Sequence, residues 1–183
     1  ENFEGSPIPF TKEYFKISIL HSKDGKSKIK GRLGDIPALN IKKMSQGLNV
    51  LQIESVTKYV EYEKLVKFEI FTREKGYPNL AQKHRENNYP ENFFESYKRY
   101  AKSLISVENF DGKDIDTNMD FELIFLDNPL KNLNESKRIL LEYKNKILPD
   151  HKVSIMSLNN GYFRKEYLKT CLLYTSPSPR DKR

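Results

Sequence analysis

Two hydrophobic periods share this chain, and their order limits what it can fold into. Strand-like alternation comes first, a helix-period stretch follows, and strand signals resume beyond it. No regular strand–helix–strand alternation runs along the sequence, which argues against a doubly wound parallel sheet. Residues 15–20 alternate as a half-buried strand, Asp24-Gly25 is a hairpin turn signal, and residues 27–31 are expected to return beside them. The spacing over 49–59 predicts the longest strand. It places Leu51, Ile53, Ser55 and Thr57 on one side, and Val50, Gln52, Glu54 and Val56 on the other.

From 61 to 75 the period changes. Tyr62, Leu65, Val66, Phe68, Ile70 and Phe71 make a broad helical stripe, with Gly76 expected just past its C-cap. Pro78 predicts the start of a second helix to about 86. Pro90 predicts a third, in which Phe93, Phe94 and Tyr97 share a face. Strand signals resume from about 98 and recur over 121–126, 139–143, 152–156 and 162–169. The stretch from Asp111 to Asp120 is rich in aspartate, yet Gly112 falls at the second position where a calcium loop places its glycine at the sixth. It reads as a solvated loop.

The expected architecture is therefore mainly β. A β-sandwich with a helical insertion over about 61–97 would occupy 1–129. The truncated start of a second, immunoglobulin-like or transthyretin-like β-sandwich would occupy 130–170. Residues 171–181 read as the in-frame translation of a sequencing transposase adapter, so 171–183 are expected to be a non-native tail on an internal fragment. The whole chain carries a formal charge of +7; setting aside Arg180, Asp181, Lys182 and Arg183 lowers it to +5.

That charge is mostly lysine, dispersed among Glu and Asp. Arginine, the residue suited to bidentate phosphate and base contacts, is sparse, so no nucleic-acid partner is expected. No apolar run reaches the roughly 18 residues of a membrane-spanning helix. The one cysteine, Cys171, lies in the expected tail, which leaves no thiol chemistry or cysteine-ligated zinc in the remainder. Nucleophile elbows, phosphate loops and paired zinc histidines are missing too, so no catalytic residue is assigned.

Several segments together resemble a bacterial family. They are Tyr62-Glu-Lys-Leu-Val-Lys-Phe-Glu-Ile-Phe-Thr-Arg-Glu-Lys-Gly76, Lys83-His-Arg85, Pro90-Glu91, Tyr97-Lys-Arg-Tyr-Ala-Lys102 and Phe121-Glu-Leu-Ile-Phe-Leu-Asp-Asn-Pro129. Their order is similar to that of a domain-of-unknown-function family formerly mislabelled as a nickel uptake substrate-specific transmembrane region. The resemblance implies a periplasmic or extracellular protein whose signal peptide lies upstream. It also implies a sandwich followed by an immunoglobulin-like module, and a link to divalent metal uptake.

Candidate site residues follow from chemistry. His84 on the second predicted helix, with Glu69 and Glu74 on the preceding one, offers an imidazole and two carboxylates for a divalent metal. Arg85 beside it, with Arg99, Tyr100 and Lys102, makes a basic–aromatic group that would suit a carboxylated or sugar ligand. His21 and His151 lack motif partners and read as turn-proximal side chains. The expected function is an exported, non-enzymatic binding or accessory protein with a metal ion or an envelope transport component as partner. The alternative is a cell-envelope carbohydrate-binding or adhesion protein with an immunoglobulin-like module.

Overall fold

The structure, a computed structural model, describes residues 9–133, 135–159, 162–170 and 174–176. It is mainly β, with several antiparallel sheets and two short helices. The chain divides into two compact units: residues 1–54 with 100–183, and residues 55–99. The helical insertion expected over 61–97 falls within the second of these.

Unit 1 opens with β1 (Phe15–Ser22), which turns through Lys23-Asp24 into β2 (Gly25–Lys28). Gly25 sits at φ 114°, a left-handed conformation that a side chain would strain, so the Asp24-Gly25 signal marks the turn as expected. The return strand ends at Lys28, three residues short of the predicted limit. β3 (Gly47–Ser55) lies between β1 and β6 (Tyr100–Val107), giving the sheet order β2-β1-β3-β6. That central position, together with the Asp111-Gly112 backbone lying against Gly47 and Leu48, accounts for the near-continuous burial of Gly47 to Val50. Val50 and Gln52 are buried together, on the same side as predicted.

A second sheet contains β7 (Phe121–Phe125) and β8 (Lys137–Tyr143), paired antiparallel with Leu123 opposite Leu141. This pairing joins strands on either side of position 129, where the boundary between two modules was expected. Short β9 (Lys146–Ile147) folds back on β8. β10 (Lys152–Asn159) and β11 (Tyr162–Lys169) make a separate two-stranded hairpin. The expected Asn160-Gly161 turn between them lies outside the described residues. Within the span expected to be a foreign tail, β12 (Tyr174–Ser176) pairs with β8, while 171–173 and 177–183 lie outside the described residues.

Unit 2 departs from expectation in two places. The single strand predicted over 49–59 is two strands, β3 ending at Ser55 and β4 (Lys58–Tyr62) beginning anew. Ser55 causes the break. Its hydroxyl donates to the Val56 carbonyl at 2.8 Å and accepts from Arg99 N–H at 2.8 Å, a local alternative to continuing the ladder. The helix predicted from Pro90 is instead β5 (Phe93–Tyr97), paired antiparallel with β4. Phe93, Glu95 and Tyr97 point to the half-buried side while Phe94 and Ser96 are exposed, a period of two that the aromatic residues fill well on a pleated surface.

The helices start later than predicted. α1 (Leu65–Glu74) begins after β4 has claimed Glu61 and Tyr62, and α2 (Leu80–Glu86) follows Pro78. The predicted stop is present. Gly76, at φ 86°, donates to the Arg73 carbonyl at 3.0 Å, and Tyr77 donates to Thr72 at 2.7 Å, so two terminal carbonyls of α1 are satisfied by a Schellman closure.

Candidate functional site

Four of the predicted site residues, His84, Glu69, Glu74 and Arg85, lie on the helices of unit 2. His84 packs as an aromatic among aromatics, its ring centroid 4.3 Å from Phe93, 5.3 Å from Tyr89 and 6.0 Å from Phe68. Its Nε2 is 2.8 Å from the carbonyl of Pro90, which only accepts, so that nitrogen carries a proton and donates. Glu69 faces arginines: Arg85 at 2.5 Å and Arg73 at 3.0 Å. The Arg85 hydrogen bond, then its charge, lowers the Glu69 carboxyl below its usual range. Glu74 is exposed near the end of α1. The structure thus joins Glu69 to Arg85 and gives the His84 Nε2 a backbone partner. Among the described residues, no group of three or more His, Cys, Asp or Glu side chains is arranged to hold a metal ion.

The feature that does form a site here is a groove of about 580 Å³ on unit 2, lined by Phe68, Phe71, Tyr77, Leu80, Phe93 and Phe94 with Lys75 and Glu95. Its floor is fixed. Tyr62, from β4, stacks on Phe93 at 5.3 Å and meets Phe68 edge-on at 5.2 Å, while Phe68 and Phe93 meet edge-on at 5.2 Å. Each such pair contributes about 0.5–1.5 kcal/mol beyond burial, so the cluster holds its shape. The Tyr62 hydroxyl donates to Glu95 at 3.0 Å. Burial, then that carboxylate, pushes the Tyr62 phenol up to about 12, so it remains a donor throughout the neutral range. Above this floor the walls are open: Tyr77 is 60% exposed and Phe94 is 64% exposed. A run of alternating exposure in β5 places Phe94 outward while Phe93 anchors the floor. The sequence reading grouped Phe93 and Phe94 on one helical face and so missed the groove. The Phe-Phe-x-x-Tyr pattern, read at period two, was the signal that could have found it.

The remaining basic–aromatic residues divide between units. Arg99, in unit 2, has its guanidinium 5.5 Å from the Tyr97 ring centroid. Tyr100 and Lys102 belong to β6 of unit 1. The Tyr100 hydroxyl donates to Asp120 at 3.2 Å, and burial, followed by Asp120, raises it to about 12.

Lys102 is not a surface group. Its side chain is 8% exposed and its Nζ lies 3.0 Å from Asp114 Oδ1, 2.5 Å from Glu122 Oε1 and 2.9 Å from the Ile115 carbonyl. Asp114 and Glu122 side chains are 0% and 1% exposed. Asp114 also accepts from the Ile115 and Phe125 amides, and Glu122 accepts from Thr117 N–H, the Thr117 hydroxyl and Met119 N–H. The stretch read as a solvated loop is thus partly interior, because Asp114, Thr117 and Met119 are all buried. Its carboxylates meet one lysine and several amides, the arrangement that makes buried charge tolerable.

His21 is more enclosed than its position in the sequence suggests. It is turn-proximal as expected, one residue before the end of β1, but it is buried at 5% exposure and its Nε2 pairs with Gln52. His151 precedes β10, its Nδ1 2.7 Å from the Pro149 carbonyl.

Compared with protein-family models, with curated proteins and with solved structures, the chain gives no match.

Proposed function

We propose that this protein is a cell-envelope carbohydrate-binding protein that holds a sugar in the aromatic groove of unit 2. The observation that carries this reading is the outward exposure of Tyr77 and Phe94 over a rigid aromatic floor. Large apolar side chains left open around one concavity mark a contact surface, since scattered exposure would not converge. A pyranose has one face of C–H bonds and a rim of hydroxyls. The C–H face is attracted to the electron-rich face of an aromatic ring, and the hydroxyls can hydrogen-bond to Lys75 and Glu95 on the groove wall. A bare cation is a poorer fit, because the His84 Nε2 and both oxygens of Glu69 already have partners.

In the same reading, the two larger sheets of unit 1 are the layers of a sandwich. Lys102 from β6 and Glu122 from β7, one residue from each sheet with their charged ends buried together, support it. Export to the envelope belongs to this proposal as well, and fractionation of source cells checks it.

The test is a glycan array probed with the 183-residue chain, followed by titration of the retained sugar. Phe94→Ala and Tyr77→Ala remove exposed rings that do not hold the floor, so each should weaken binding about tenfold with an unchanged circular dichroism spectrum. An empty array, or full affinity in the double variant, would overturn the assignment.

A further inference from the structure

Among the described residues, β10 and β11 pair only with each other, so the outer side of each is a strand edge. In an antiparallel ladder every second residue turns its N–H and C=O away from its neighbour. At an edge those groups are a template for another strand. Side chains alternate along β11: Tyr162, Arg164, Glu166 and Leu168 stand on one face, Phe163, Lys165 and Tyr167 on the other. The three aromatic residues are all exposed, Tyr162 at 82%. Arg164 pairs with Glu166 along its face while half of the arginine side chain remains in solvent.

Two copies paired antiparallel about a two-fold axis through the sheet set residues of one face opposite each other, so the axis passes through one residue position. Centred on Lys165, Arg164 faces the second copy's Glu166, Phe163 faces its Tyr167 and Tyr162 faces its Leu168. Each pair occurs twice. Opposite charges and aromatic pairs are the combinations that hold neighbouring strands together. Adjacent centres lose the match. At Glu166 acid meets acid and Arg164 meets Leu168, at Arg164 base meets base, and at Tyr167 the residue facing Lys165 is Lys169. The β10 edge can offer no ion pair, since Lys152 is its one charged residue. In the favoured register Lys165 meets its own copy on the axis, and its Nζ is drawn to the Tyr167 ring, 5.5 Å from the centroid. That single like-charge rung opposes three matched pairs, each made twice.

We infer that β11 is a self-association edge, along which two copies of this chain pair antiparallel about Lys165. Both copies use the same edge, so the assembly closes at two, with strand order β10-β11-β11-β10 across it. One strand edge is a small interface, and the association is accordingly weak. Sedimentation velocity of the 183-residue chain should show a monomer–dimer equilibrium with Kd of about 10–100 μM. Arg164→Glu and Glu166→Arg each set like charges across two rungs and should weaken the dimer at least about tenfold. Each also breaks the pair within the strand, so neither variant alone separates pairing between copies from support of the hairpin. Their equimolar mixture does. One variant then faces the other with opposite charges on both rungs, while the pair within each strand stays broken. The mixture should dimerise at least as tightly as the parent. Amide hydrogen exchange should slow with concentration at alternate residues of β11 and stay constant along β10. A parent chain that remains monomeric to about 1 mM, a dimer indifferent to either substitution, or a mixture that fails to associate each overturns the inference.

Discussion

Replacing Lys102 with methionine isolates the ion triad inside unit 1. The substitution keeps a long flexible side chain but removes the ammonium that Asp114, Glu122 and the Ile115 carbonyl share. Two carboxylates, each almost wholly buried, then lose their cation. Breaking a buried pair from one side costs about 3–5 kcal/mol, against about 0–1 kcal/mol for an exposed pair. With a urea dependence of about 2 kcal/mol per molar, the unfolding midpoint should fall by about 2 M. Tyrosine emission reports the transition cleanly, since the chain has 11 Tyr and no Trp. Far-UV circular dichroism gives an independent trace. Glu122→Gln is the companion. Whichever way the amide turns, its NH₂ faces either Lys102 or the donors of Thr117 and Met119, so a loss of about 1–3 kcal/mol is expected. A midpoint shift below about 0.5 M for Lys102→Met, the size an exposed pair gives, would refute the claim that burial governs this network.

Two further outcomes follow from neighbouring features. Burial first, then Asp116 and Glu122, raises the Glu142 carboxyl above 4.5, so its contribution to stability is full below pH 4.5 and is lost as pH rises through the raised value. Glu142→Gln should therefore stabilise the protein at pH 7 and leave it unchanged well below pH 4.5, as read by thermal melts across that range. Gly47 sits at φ 89°, and an added Cβ would lie 2.9 Å from the Asp111 carbonyl oxygen. Gly47→Ala should cost about 1–3 kcal/mol by combined backbone strain and crowding, measurable as a lowered melting temperature.

The parts of the fold that could be read from residue order were those set by local chemistry. Asp24-Gly25 turned the first hairpin, and Gly76 stopped α1, because each needs a backbone conformation that glycine adopts freely. The strand signals over 121–126 and 162–169 matched β7 and β11, because β-branched and aromatic residues bounded by turn residues mark strands locally. What escaped was set by partners distant in sequence. Phe93 and Phe94 fit a helical face or a strand equally well, and only the ladder to β4 decides between them. Ser55 gave no sign of interrupting its strand, since the interruption depends on Arg99 arriving beside it. The Asp114 carboxylate reads as solvated until Lys102 is placed against it. His21 is a similar case, its meaning resting on Gln52, thirty-one positions away. Clusters built by sheet register carry no short motif.

The course of the chain around unit 2 has a consequence for how such a protein can be altered. Ser55 donates its amide to the Arg99 carbonyl at 2.9 Å, and Glu54 pairs with Tyr100 in the ladder just before it. Departure and return therefore occupy neighbouring rungs, much as the two legs of a hairpin do. A tight turn could close that gap, and a different cassette could be spliced into it, without shifting any strand's register. Replacing unit 2 in this way would remove its aromatic groove while leaving the strand order of unit 1 as it is.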